Sequence, residues 1–379
     1  MRICIDARCA TTNRDFGIRQ YARELVRALA AIDCENEYVV LVNRGNAGRL
    51  VEQDNFTERE VSGGIDSARN FALGARRLRS IRADIYHSLY HVLPFGMRGR
   101  AVITLHDHTG IENGDGTAPS GVREKFTAFR SRVTRNYTLR RADHIIAVSR
   151  YVADHTAAIL GPSSDRISVS HSGIDHRFYS NATDVPAHPH SIPRFLVIGY
   201  SDPPRNVSRV VAAMALLRER LPDAMLEIVG SEAGYEMLRD IVTTLSLDDR
   251  VTITRDLSDA DLLDRMRSAT ALVYPSLNET YGAPILEAQA AGCPVITGDR
   301  GPFPELAGDA AILVDTSDTW AIADAMERIF RDTSERDRLI RDGRRRAADF
   351  TWEATAERTR DVYERLMQRS PRPFLAVIR

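Results

Sequence analysis

The chain has 379 residues, with 51 basic and 52 acidic side chains and a formal net charge of −1, so no strong overall field draws it to nucleic acid. That length is ample for two domains with buried cores. No run of about 18 apolar residues occurs, which excludes a membrane-crossing helix, and the four cysteines (Cys4, Cys9, Cys34, Cys293) form no C-x-x-C pair, as expected in a reduced cytoplasmic compartment.

The opening MRICIDARC reads as a first strand and lacks the long apolar core of a signal peptide. Apolar runs at 2–6, 38–42, 85–87, 101–105, 144–148 and 167–170 alternate with helical segments, the pattern of a parallel sheet covered on both faces. Ile18, Ala22, Leu25, Leu29 and Ile32 repeat at spacings of three and four and predict the first helix. Just before it, Gly17-Ile18-Arg19-Gln20-Tyr21 places a glycine at a helix entry, where backbone can approach a phosphate closely. His106-Asp107 follows the run at 101–105, where a site residue is expected.

The segment 121–141 carries Arg123, Lys125, Arg130, Arg132, Arg135, Arg140 and Arg141 against a single Glu124, with Phe126, Phe129, Val133 and Tyr137 at helical spacing. Two readings stand: a domain helix with its basic face in water, or a basic amphipathic helix resting on an anionic membrane surface.

Three prolines within 185–193 mark a linker, and His188 and His190 within it read as solvated. Strands then resume at 195–198, 225–229, 251–254, 271–274, 294–297 and 311–314, followed by helices over 320–331, 334–349 and 351–366. The expected layout is a first α/β domain over 1–184, a second over 194–352, and a C-terminal helix over 353–379. Two such sheets place ligand sites at the carboxyl ends of their strands.

The most informative stretch is 273–296. An apolar strand leads to a turn with Glu279, then Tyr281-Gly282-Ala283, a helix opening at Pro284 and carrying Glu287, and a stop at Gly292. Two carboxylates eight positions apart, separated by a helix N-terminus, suit a ligand with hydroxyls at both ends and phosphate between them. A nucleotide sugar fits that description.

The string E-T-Y-G-A-P-x-L-E-A-x-A-x-G-x-P-V-I resembles the donor-site signature of the retaining glycosyltransferases of family 4 (group 1 glycosyltransferases). The resemblance implies the GT-B fold, two Rossmann-like doubly wound domains facing across a cleft, with the final helix crossing back to the first domain from a turn at Phe350-Thr351-Trp352. It implies that Glu279 contacts the donor sugar, Glu287 holds the nucleotide ribose, and His106 lies near the reacting centre. Tyr281, Gly282, Ala283 and Pro284 would form the phosphate-facing turn with Gly17 and Arg19 as further donor contacts. The family pattern G-I-G-R-Y appears here as Gly17-Ile18-Arg19-Gln20-Tyr21, and R-K-N as Pro204-Arg205-Asn206. Arg205 thus stands where a lysine is usual, keeping the charge that would clamp the diphosphate.

From this resemblance follows a retaining, metal-independent hexosyltransferase in bacterial polysaccharide or glycoconjugate assembly, mannosyltransferase-like and using GDP-mannose. Its acceptor would be a saccharide or lipid-linked saccharide, with a cytoplasmic location or a peripheral seat on the inner face of the membrane. No cofactor is expected. His106 and His108 stand only two positions apart, and His87 and His91, though four apart, follow an apolar run read as a strand and not a helix, so no helical zinc site is expected, and Asp259-Ala260-Asp261 reads as the start of a helix capped by Ser258 rather than as a metal-binding D-x-D. Rival readings are a non-catalytic nucleotide-sugar-binding subunit, an epimerase, or a phosphorylase; the last would need a lysine for pyridoxal phosphate, and Lys125 on the basic segment is the single lysine of the chain.

Overall fold

The computed structural model describes residues 1–11, 16–106, 122–161, 165–179, 192–199, 204–230, 234–255 and 257–369. The chain divides into two compact units, one formed by Met1–Gly173 with Thr351–Arg379 and the other by Ile174–Phe350.

The first unit is built on seven parallel strands: β1 (Arg2–Asp6), β2 (Glu37–Asn43), β3 (Phe56–Val61), β4 (Ile85–Ser88), β5 (Arg100–Leu105), β6 (His144–Ala147) and β7 (Ile167–Val169), in the order β3-β2-β1-β4-β5-β6-β7. The order reverses direction between β1 and β4. Helices α1 (Phe16–Ile32), α2 (Ala68–Arg79), α3 (Val122–Arg141) and α4 (Arg150–Leu160) connect the strands, and β1, β4, β5 and β6 are buried almost throughout, as strands covered on both faces must be.

The last helix, which follows all the strands of the chain, belongs to this first unit and packs on α1. Thr351 caps it, accepting from the Ala354 amide at 3.1 Å. A Cβ added at Gly173 would lie 2.4 Å from the Trp352 amide nitrogen, so this junction requires a glycine.

The second unit holds β8 (Arg194–Ile198), β9 (Met225–Gly230), β10 (Val251–Arg255), β11 (Ala271–Tyr274), β12 (Val295–Gly298) and β13 (Ile312–Val314), all parallel, in the order β10-β9-β8-β11-β12-β13. Its helices are α5 (Val207–Leu216), α6 (Tyr235–Thr244), α7 (Asp259–Ser268), α8 (Ala283–Ala291), α9 (Phe303–Ala307), α10 (Thr319–Arg331) and α11 (Thr333–Ala347); the C-terminal helix of the first unit is α12 (Trp352–Gln368). Alternating strand residues feed two cores. Phe195, Val197, Ile228, Val273 and Ile296 join one, whereas Leu196, Leu272, Tyr274 and Val295 join the other with Ile285 and Leu286 of α8. Here the direction reverses between β8 and β11.

Two features differ from the sequence expectation. The change of unit falls at Gly173–Ile174, ahead of the proline-rich 185–193 stretch, of which 185–191 lie outside the described residues. Strand β3 and helix α2 also lie within a stretch for which composition gave no element. β3 is an edge strand reading Phe-Thr-Glu-Arg-Glu-Val, with its two ends buried and charge exposed between them, so it carries neither an apolar run nor an alternation.

Candidate functional site

In an open parallel sheet, ligands bind beyond the carboxyl ends of the strands where the strand order reverses. For the second unit that point lies between β8 and β11, and the loops leaving these two strands are tied together. Pro204 O accepts from the Leu277 amide at 2.8 Å and from Ser276 Oγ at 3.0 Å. Asn206 sits in the left-handed region (φ 56) ahead of α5 and spends its side chain on the neighbouring loops, donating to Pro275 O at 3.2 Å and Thr316 O at 2.8 Å. Asn is among the few non-glycine residues that adopt this conformation readily.

This scaffold brings Arg205 and Glu279 together. Arg205 Nη1 donates both to Glu279 Oε1 and to the hydroxyl of Tyr274, the last residue of β11. The Tyr274 hydroxyl in turn donates to Glu279 Oε1 at 2.7 Å. Tyr274 is buried, and burial is the main cause that pushes its phenol up from the ordinary value. The aliphatic stem of Arg205 runs over Gly199, where a Cβ would meet Arg205 Cγ at 3.2 Å. Tyr274 is the member that sequence reading missed: it ends an apolar strand and looks like core until its hydroxyl is traced.

From Glu279 the chain passes half-buried Thr280 and Tyr281 to Gly282, whose φ of 109 precedes α8. Ala283 and Pro284 form the first turn, with Pro placed where its missing N–H costs nothing. The first amides of α8 have no partner within the helix, and its positive dipole end lies at this turn. One turn on, Glu287 makes no hydrogen bond among the described residues. Burial, and then the Asp259 and Asp175 carboxylates, push its carboxyl up to about 7, while Arg177 opposes them. Arg177 bridges those two acids, at 2.6 Å to Asp175 and 2.9 Å to Asp259. Ser258 caps α7, accepting from the Asp261 amide at 3.1 Å and donating to its carboxylate at 2.6 Å, as the capping reading requires.

In the first unit, Gly17 is the exposed second residue of α1 and Arg19 is half-buried on the helix's first turn. His106 follows β5, with Nε2 3.3 Å from Leu89 O and its ring edge-on to Tyr21 at 4.6 Å between centroids. Asp107 and His108 lie outside the described residues. His87 is fully buried and both ring nitrogens are used, Nδ1 with Tyr363 at 2.6 Å and Nε2 with Thr104 at 2.9 Å. Burial pushes it down to about 3, so it is a neutral strut between β4, β5 and α12. Among the described residues no cluster of three or more His, Cys, Asp or Glu could hold a metal ion, and no described helix is long and apolar enough to cross a membrane.

Two family models match the chain in succession, Glycosyltransferase Family 4 over residues 17–178 and Glycosyl transferases group 1 over residues 181–346. The chain belongs to the group 1 glycosyltransferases, and its two parallel-sheet units have the GT-B fold. It is 29% identical over 218 residues to the D-inositol 3-phosphate glycosyltransferase of Corynebacterium glutamicum, covering 52% of this chain and 51% of that one. It is also 29% identical over 236 residues to the MMP alpha-(1->4)-mannosyltransferase of Mycolicibacterium hassiacum, covering 61% and 56%. The match thus spans only a little over half the length of these relatives. Among solved structures, the sucrose-phosphate synthase of Thermosynechococcus elongatus superposes with a TM-score of 0.77 at 20% identity, over 98% of this chain and 100% of that one. HepE of Anabaena, solved with UDP-glucose, superposes at 0.70 with 16% identity, over 96% and 99%.

Proposed function

We propose that the protein is a retaining glycosyltransferase that moves a hexose from a nucleotide sugar to a saccharide or lipid-linked saccharide acceptor in bacterial polysaccharide or glycoconjugate assembly. Mannose from GDP-mannose is the favoured donor, in keeping with the mannosyltransferase among the relatives, and no metal is required. One observation carries the reading. At the strand-order reversal of the second unit, a cation (Arg205), a helix N-terminus at Gly282–Pro284 and a carboxyl (Glu287) that makes no hydrogen bond among the described residues stand in succession beside Glu279.

In this reading Arg205 and the amides of α8 hold the diphosphate, Glu279 holds the sugar, and Glu287 accepts hydrogen bonds from the ribose hydroxyls. Tyr281 and Ala283 complete the donor contacts of this unit. The acceptor hydroxyl attacks the anomeric carbon on the face from which the diphosphate departs. The bond from that carbon to the phosphate oxygen breaks, the new glycosidic bond forms, and the hydroxyl proton passes to the leaving phosphate oxygen. The protein's contribution is to position the reactants and stabilise the departing charge.

Helix α3 supports a cytoplasmic enzyme seated on the inner membrane face: Phe129 is 65% exposed, Val133 is exposed, and Arg130, Arg132 and Arg140 are exposed on the same helix. Incubating the purified protein with GDP-mannose, UDP-glucose and UDP-galactose in excess EDTA tests the reaction. Release of free sugar or transfer to water or a glycan, with the anomeric configuration kept in the first-formed product, is expected. Inversion, or dependence on added Mg²⁺ or Mn²⁺, would overturn the retaining, metal-free mechanism; binding without any turnover would make the chain a nucleotide-sugar-binding subunit.

A further inference from the structure

The two groups assigned to the sugar and to the diphosphate of the donor hold each other. Glu279 Oε1 is the shared acceptor of Arg205 Nη1 and the Tyr274 hydroxyl. Glu279 is 15% exposed and Arg205 35%, so their attraction is only partly screened by water. Arg205 Nε and Nη2 make no hydrogen bond among the described residues, which leaves an edge of the guanidinium open to an incoming anion. Tyr274 cannot follow the pair if it separates, because its ring is buried in the core with Leu272, Ile285 and Phe303.

Resting on the donor site proposed above, we infer that Glu279 competes with the diphosphate for Arg205, and that this competition makes the site select an intact nucleotide sugar over the bare nucleoside diphosphate. A nucleoside diphosphate draws Arg205 toward its phosphates and leaves the Glu279 carboxylate short of its cation, beside new negative charge. An intact donor supplies what the diphosphate alone lacks, since its sugar hydroxyls donate to Glu279 as Arg205 turns to the phosphates. Both members of the pair are then satisfied at once. After transfer the sugar is gone, Glu279 reclaims Arg205, and the product diphosphate is released more readily than the donor. Tyr274 is the fixed post that keeps the Glu279 carboxylate within reach of Arg205 in both states.

Calorimetric titration of the full chain with GDP, UDP, GDP-mannose and UDP-glucose tests this on wild type, Glu279→Gln, Glu279→Ala, Arg205→Ala and the Glu279→Gln/Arg205→Ala double variant. Removing the carboxylate should tighten the bare diphosphate about 1.5- to 5-fold, the range for a partly screened charge pair, while weakening the matching nucleotide sugar. Opposite signs for two ligands of one site cannot come from a general loss of structure, which would weaken both. The gain for the bare diphosphate should shrink or vanish when Arg205 is already alanine. Unchanged or weaker diphosphate binding in both Glu279 variants would overturn the inference, as would a gain that persists in full without Arg205. If wild type binds no nucleoside diphosphate or nucleotide sugar at all, it is the donor-site reading itself that fails.

Discussion

The two strand-order reversals of this protein use their polar residues in opposite ways. Beyond β8 and β11, Arg205, Glu279 and Glu287 are partly accessible and held by few partners. Beyond β1 and β4, the comparable polar groups are consumed internally. Asp6 and Arg8 are fully buried and paired twice, at 2.8 and 2.5 Å; Arg8 also reaches Asn70 at 3.0 Å and Gly63 O at 3.0 Å, and the Tyr86 hydroxyl donates to Asp6 at 2.6 Å. His87, at the end of β4, is closed between Tyr363 and Thr104. The same sheet architecture thus builds a saturated network at one reversal, and at the other a set of charges that a ligand can claim. A charged motif at a strand end is a binding site only when its partners can be exchanged.

The largest expected effect breaks the saturated network. Asp6→Ala leaves Arg8 buried without its counter-charge and should cost about 3–5 kcal/mol of stability, read as a large fall in the thermal midpoint. The counterpart, Arg205→Ala, should barely move that midpoint yet weaken the diphosphate-bearing donor about 10- to 150-fold, the range for a charged hydrogen bond. If Asp6→Ala proves as mild as Arg205→Ala in melting experiments, the contrast between the two reversals collapses.

Glu287 sharpens the comparison through pH. Its carboxyl titrates near 7 in the folded protein but near the ordinary glutamate value when unfolded. The folded state therefore binds the extra proton between those values, and stability falls as pH rises through that window. Glu287→Gln removes the penalty and should raise stability by about 1–3 kcal/mol at pH 8, with little change at pH 4.5, as followed by denaturant unfolding at both pH values. Nucleotide binding has the opposite demand. The ionised carboxylate accepts from ribose hydroxyls more strongly than the neutral acid does, so affinity should fall as pH drops below 7 and protons should be released on binding, visible at pH 6.5 as a binding enthalpy that varies with the buffer. Gly282→Ala is the mildest change: with φ 109 and Phe303 at 3.4 Å from the added Cβ, it should cost about 1–2 kcal/mol, and binding should suffer more than melting if this turn faces phosphate.

Much of the framework was legible because parallel strands buried on both faces are short apolar runs, as at 2–6 and 271–274, and because the turn from Glu279 to Pro284 announces a helix entry by its glycine and proline. What escaped was set by tertiary context. β3 carries charge because it lies at a sheet edge. The unit junction at Gly173 shows no cluster of breakers; its glycine answers to Trp352, far along the chain. Asp6 and Arg8 look like surface charges two residues apart until the fold closes Tyr86 and Asn70 around them. Tyr274 reads as one more apolar residue of β11, and its tie to Arg205 and Glu279 needs the loops after β8 and β11 side by side. Pairing between distant loops is the information that spacing along the chain does not hold.

The most direct test is titration of the purified protein with GDP, UDP, ADP and dTDP in EDTA, followed by Glu287→Ala and Arg205→Ala with whichever nucleotide binds. The account predicts saturable, metal-free binding of one of them, GDP in the favoured reading, weakened at least about tenfold by either substitution while the melting midpoint stays within a few degrees of wild type. Absence of binding to all four, or binding that neither substitution alters, would contradict a donor site at the β8–β11 reversal.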